Sequence, residues 1–215
     1  MKERTEKHLT RFFIRRPELV YLEKNIRNAI DLIVSSVING HKILVCGNGG
    51  SASDCEHISG ELLKSFILRR EISPELKDKL LSEYDEEGVL LADNLQQGIP
   101  CIPLVSFSSL TTAFMNDCDG TFVFAQQVNA LGSKGDVLLV VSTSGNSRNV
   151  IYASEIAHAK EMPVIAMTGR TGGKLRQFAD ILLNAPADVV YLIQEYHEPL
   201  YHVLCLCIES EMFDS

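Results

Sequence analysis

Four stretches of this chain follow one pattern: an apolar run that dissolves into glycine, serine and threonine, then a segment of helical periodicity. They are KILVCGNGGS (42–51), CIPLVSFSS (101–109), DVLLVVSTSGNS (136–147) and PVIAMTGRTGG (163–173). The apolar runs are continuous and do not alternate, so each strand is expected to be buried on both faces, as in a parallel sheet covered by helices. RNVIYASEIAHAKEM (148–162) is one of the helical segments. Strand, loop, helix and strand make the βαβ unit, and its repetition gives a doubly wound α/β fold. A fifth short run, DILLNAP (180–186), leads to the last helix. The expected fold is therefore a three-layer αβα sandwich around a five-stranded parallel sheet. In such sheets ligands bind beyond the carboxyl ends of the strands, which is where the small polar loops fall.

Long helices flank this core. PELVYLEKNIRNAIDLIVSSVING (17–40) spaces Leu22, Ile26, Ile30 and Ile33 helically, with Pro17 at its start and Gly40 at its end. The final helix is expected from about Asp188 to Phe213, bent at Pro199. Helices this apolar outside a sheet want a partner, either a second copy or the chain's own domain. Residues 66–100 are too long for a simple helix-to-strand connection. Ser73-Pro74-Glu75 opens a short amphipathic helix there. The segment reads as an inserted lid or interface element in a single domain spanning 1–215, with N-terminal helices in 1–40.

Composition narrows the function. A net charge of −8 over 215 residues argues against direct nucleic-acid binding, which needs a basic footprint. A small anion such as a phosphorylated metabolite stays compatible. The N-terminus lacks the apolar core of a signal peptide, and no apolar run approaches the ~20 residues needed to span a bilayer. The six cysteines (46, 55, 101, 118, 205 and 207) form no CxxC pair, so reduced, buried thiols of a cytoplasmic protein are expected.

Two loops suit an anion. GNGGS (47–51) and STSGNS (142–147) each join a strand to a helix. Small residues let backbone N–H groups approach a phosphate, and the helix start adds favourable partial charge. Turn and capping chemistry alone is the competing reading. Neither loop is a dinucleotide or Walker motif. His57 and Glu61, four apart, share a helix face, while Gln194 and His202 of QEYHEPLYH are eight apart, about 80° around the axis. Imidazole, carboxylate and amide together suit a zinc-type site. They equally suit acid/base chemistry on a sugar, and a surface His–Glu pair is the plainer alternative.

Taken together, CGNGGSASDCEH, STSGNS, TGRTGG and QEYHEPLYH resemble the sugar isomerase (SIS) domain family, and within it the phosphoheptose isomerases. The resemblance covers nearly the whole chain outside 66–100. It implies a flavodoxin-like SIS fold and conversion of sedoheptulose 7-phosphate to D-glycero-D-manno-heptose 7-phosphate through an enediol. It implies sugar-phosphate contacts from Asn48, Gly49, Gly50, Ser51, Asn116, Asp117, Ser142, Thr143, Ser144, Ser147 and Gln194. Glu61 and His202 match the proton-transferring pair; His57, Glu61, Gln194 and His202 match the zinc ligands of metal-containing members. A homotetramer with sites at subunit boundaries is also implied. Ser65 stands where the family pattern carries an arginine, with Lys64, Arg69 and Arg70 nearby as candidates to replace it. Two alternatives remain. One is an isomerase of a different phosphosugar. The other is a non-catalytic SIS protein that binds a phosphosugar as a regulator or associates with the replication initiator.

Overall fold

The computed structural model describes residues 1–214. Its strands are β1 (Ile43–Gly47), β2 (Cys101–Pro103), β3 (Val137–Ser142), β4 (Val164–Thr168) and β5 (Ile181–Asn184). They form one parallel sheet in the order β2-β1-β3-β4-β5. This is the flavodoxin-like order, whose switch point lies between β1 and β3. Adjacent residues of each strand serve opposite layers. Ile43, Val45, Leu139 and Met167 face one core with α2 (Glu23–Ile38), α3 (Gly50–Leu63) and α9 (Val190–Phe213). Leu44, Cys46, Val140 and Ala166 face the other, with α7 (Val123–Leu131) and α8 (Arg148–Ala159). Burial on both faces is why these strands read as unbroken apolar runs.

Some boundaries differ from expectation. The run at 101–109 yields only three strand residues, because Pro103 lacks a ladder N–H and β2 sits at the sheet edge. The helix expected over 17–40 starts as a six-residue 3₁₀ turn, Pro17–Leu22, before α2 begins. A separate α1 (Glu3–Arg15) precedes it and buries Leu9 and Phe12 in the α2/α9 core. α9 runs through Pro199 as one element. The insertion folds as two helices, α4 (Pro74–Glu83) and α5 (Asp85–Asn94), the first capped by Ser73, whose Oγ accepts from the Leu76 N–H at 3.3 Å. α6 (Ser108–Asp117) follows the edge strand. All six cysteines are free, but Cys118 is exposed where burial was expected, because it follows directly on the solvated end of α6.

Candidate active site

Loops from β1, β3 and β4 meet at the carboxyl end of the sheet. Asn48 and Asn149 exchange two side-chain amide hydrogen bonds of 2.9 Å, tying the β1 loop to the first turn of α8. Within the serine loop the Asn146 N–H donates to Ser144 Oγ at 3.1 Å, and its side chain bridges the Ser144 carbonyl and the Lys174 N–H. Gly145 holds a φ of +62°, and a Cβ there would collide with the Gly172 carbonyl. Only glycine lets these two loops touch. Ser142 is buried, Thr143 and Ser147 are half-buried and Ser144 is exposed. Their hydroxyls lie at the start of α8, whose first N–H groups have no partner within the helix and favour an anion. The cluster can hold a phosphate ester.

From Gly50, α3 leaves these loops and runs beside α9 in the same direction. Gly50 faces Gln194, whose amide a side chain at residue 50 would strike. One register step further, His57 meets Tyr201 and His202, and beyond the helix end the backbone meets Glu209.

His57 is engaged at both ring nitrogens. Nδ1 lies 3.0 Å from the Tyr201 hydroxyl and Nε2 lies 3.4 Å from Glu61 Oε1. An ionised carboxylate only accepts, so Nε2 is assigned the proton and Tyr201 donates to Nδ1. Burial pushes the Tyr201 pKa up, which keeps the hydroxyl a donor. The His202 ring stands edge-on to His57 with centroids 5.0 Å apart. Burial first, then the neighbouring His57, holds His202 below the ordinary histidine range. This favours the neutral ring, with a nitrogen able to accept. Lys64 Nζ donates to Glu61 Oε2 at 2.9 Å and supplies the cation that Ser65 does not. Three residues before His57, burial and Glu198 push the Asp54 carboxyl up to about 6, and its Oδ2 is buried without a protein partner.

A buried ion pair closes this end of α3. Glu209 accepts from the N–H groups of Phe66, Ile67 and Leu68 at 2.8, 2.9 and 3.1 Å and from Arg70 Nε at 2.7 Å. Arg70 in turn donates to the last carbonyls of α3, Leu62 at 2.7 Å and Glu61 at 3.2 Å. A cation at a helix carboxyl end meets both its unpaired carbonyls and its dipole. Arg70 is thus committed to structure and Arg69 is exposed, which leaves Lys64 as the cation beside Glu61.

The structure therefore sorts the expected site residues into three places. Asn48, Gly49, Gly50, Ser51, Ser142, Thr143, Ser144, Ser147 and Gln194 belong to the loop end. His57, Glu61 and His202 belong to the far end of α3, with Glu61 eleven residues beyond Gly50, about 16 Å at 1.5 Å per residue. Asn116 and Asp117 sit at the exposed end of α6, hydrogen-bonded to each other at 2.9 Å. The donor types of His57, Glu61, Gln194 and His202 suit zinc, but Gln194 lies two turns away along α9. Among the described residues no group of three or more His, Cys, Asp or Glu side chains has the geometry of a metal site. Tyr201, Asp54 and the Arg70–Glu209 pair escaped the sequence reading. Asp54 stands three before His57, a spacing that already placed it on the same helix face.

Similarity to known proteins decides the family. The SIS domain family matches residues 18–82 and 98–169. The phosphoheptose isomerase of Helicobacter pylori (strain ATCC 700392 / 26695) is 38% identical over 188 residues, covering 87% of this chain and 84% of that protein. The chain belongs to the SIS domain family, alongside the phosphoheptose isomerases. Solved structures of SIS relatives agree. GmhA, the phosphoheptose isomerase of Neisseria gonorrhoeae, superposes with a TM-score of 0.73 at 36% identity, covering 97% of this SIS chain and 98% of its own. A phosphoheptose isomerase of Francisella tularensis gives 0.71 at 35% identity, covering 87% and 86%.

Proposed function

We infer that the chain is an aldose–ketose isomerase that converts sedoheptulose 7-phosphate to D-glycero-D-manno-heptose 7-phosphate. The observation that carries this is the meeting of Glu61, His57 and His202 on a chain 38% identical to a phosphoheptose isomerase over 87% of its length. In the proposed mechanism the ketose opens and its phosphate rests on the 142–147 loop and the start of α8. Glu61 removes a proton from C1, electrons move into the C1–C2 bond, and an enediol forms. Glu61 returns the proton to C2. Neutral His202 carries the hydroxyl proton from O1 to O2, so C1 becomes the aldehyde. His57, oriented by Tyr201, holds the Glu61 carboxylate, and Lys64 stabilises its charge. Proton transfer by such positioned groups contributes on the order of 10²–10⁴-fold.

A site shared between copies is the second part of this proposal. With carbon–carbon bonds of roughly 1.5 Å, an extended heptose phosphate reaches on the order of 10 Å from phosphorus to C1. Glu61 lies about 16 Å along α3 from the loop end. A shared site, in which the loops of one copy face the Glu61 end of another, accommodates this span and is consistent with the expected homotetramer. The test is complementation. Glu61→Gln and Ser142→Ala/Ser144→Ala chains, each inactive alone, should regain isomerase activity when co-assembled. Active purified monomer, or no recovery in a folded mixed oligomer, contradicts the shared site. A wild-type protein that binds sedoheptulose 7-phosphate without turnover favours the regulatory reading, and preferential stabilisation by another C5 to C8 sugar phosphate favours a different isomerase substrate.

Zinc is a further proposal, supported by the donor types alone, and no catalytic step above passes through it. Elemental analysis of the purified protein, with the same measurement on His57→Ala, tests it. A cytoplasmic setting is supported by the six free thiols. Among the described residues no helix is long and apolar enough to cross a membrane.

A further inference from the structure

The isomerase chemistry leaves the α4–α5 hairpin unexplained, and the family match breaks inside it, at 83–97. The two helices pack mainly on each other. Their outer surface keeps Leu81, Tyr84, Val89, Leu90 and Leu91 exposed, Leu90 at 63%. An exposed apolar patch on a short hairpin marks an interaction surface. The first turn of α5 adds Asp85, Glu86 and Glu87, and the hairpin's ion pair, Lys79–Glu83 at 4.0 Å, involves none of them.

A surface of complementary character lies between α1 and α9. There a groove of 710 Å³ is lined by Phe12, Val203 and Leu206 together with Ile67 and His202. Its rim carries Arg11 and Arg15, one helical turn apart, with exposed Ile14 between them. Among the described residues, ion pairs join Arg4 to Asp214, Lys7 to Glu3, Glu6 to Arg27 and, just past the helix, Arg16 to Glu18, and none involves Arg11 or Arg15. In a chain of net charge −8, an unpaired basic rim on an apolar groove fits an acidic apolar helix. The lengths also agree. α5 is about 15 Å long, and the groove follows α1 from His8 to Arg16, about 12 Å. Within one chain α4 and α5 make no substantial contact with α1 or α9.

We propose that the α4–α5 hairpin of one copy seats in the α1–α9 groove of a second copy. Glu86 and Glu87 lie against Arg11 and Arg15, and Val89 and Leu90 cover Ile14 and Ile67. Docking does not depend on the isomerase reading. Its consequence does: the hairpin covers His202, which lines the groove, so one chain shields a proposed proton-transfer residue of another.

The test is disulfide trapping between two chains of different mass, in a Cys118→Ser background that removes the exposed native thiol. One chain carries Leu90→Cys and the other Ile14→Cys. Mild oxidation of the co-expressed pair should give a heterodimer on a non-reducing gel, and Glu86→Lys/Glu87→Lys should abolish it. Adding Arg11→Glu/Arg15→Glu to the second chain should restore it. Circular dichroism and native mass on the same samples confirm folded, assembled protein. A folded oligomer with no heterodimer overturns the proposal, as does a Leu90→Cys/Ile14→Cys chain that closes only within itself. A crosslink indifferent to charge reversal overturns the electrostatic pairing. Trapping needs no substrate, so it stands or falls separately from any isomerase assay.

Discussion

Replacing Arg70 with methionine isolates the cost of a buried charge left without its partner. Both side chains of the Arg70–Glu209 pair are 0% exposed and their closest N–O distance is 2.7 Å. Removing one partner of such a pair costs about 3–5 kcal/mol, because the remaining ion keeps its desolvation penalty and loses its compensation. In a chain of this size each kcal/mol moves Tm by about 2–4 °C, so Arg70→Met should lower Tm by roughly 6–20 °C. The usual remedy, replacing both charges by apolar groups, should fail here. Glu209 also accepts three part-buried backbone N–H groups, and an orphaned donor costs up to about 1–3 kcal/mol. Arg70→Met/Glu209→Leu should therefore stay well below wild type. Thermal and urea unfolding followed by circular dichroism measure both. A single-variant loss below about 1 kcal/mol, the scale of a solvent-exposed pair, refutes the reasoning. So does a double variant as stable as wild type.

Asp54→Asn should gain stability relative to wild type as pH rises. The folded pKa of Asp54 is raised from 3.8 to about 6 by burial and Glu198. Its stabilising contribution is complete below 3.8 and is lost as pH passes through 6; urea titrations at pH 4 and pH 8 should show the variant's advantage only at the higher value. His197 has the opposite sign: burial lowers its folded pKa from 6.5 to about 4. The wild-type chain should lose stability between those values on acidification, and His197→Gln should flatten that part of the profile. Tyr201→Phe removes the donor to His57 Nδ1; losing one such bond, about 0.5–1.5 kcal/mol, should lower kcat roughly twofold to tenfold with KM unchanged. A shift in KM alone would place Tyr201 in substrate binding.

The sheet was legible because burial on both faces leaves a continuous apolar signature, which all five strands carry. The anion loops were legible from the loss of that signature into Gly, Ser and Thr at strand ends. Spacing could place His57 and Glu61 on one helix face, but it could not say which turn of α9 would lie beside them. Same-direction packing puts Gln194 against Gly50 and His202 against His57, so residues grouped by motif separate along two parallel helices. Arg70 was also hidden. In sequence it is one of two adjacent arginines, and only the fold shows that one is buried on Glu209 while its neighbour stays in water. The second helix of the insertion was missed because it starts at Asp85, a non-glycine residue held at a φ of +43°, with no capping side chain to announce it.

Running the reaction in D₂O tests the central claim most directly. If Glu61 shuttles a carbon-bound proton through an enediol, the aldose formed from sedoheptulose 7-phosphate should carry solvent deuterium at C2. Glu61→Gln should bind the ketose yet form labelled product at least about a hundredfold more slowly. Unlabelled aldose from the wild-type enzyme would point to direct hydride transfer or complete shielding of the proton. Full turnover by Glu61→Gln would remove that carboxylate from the chemistry.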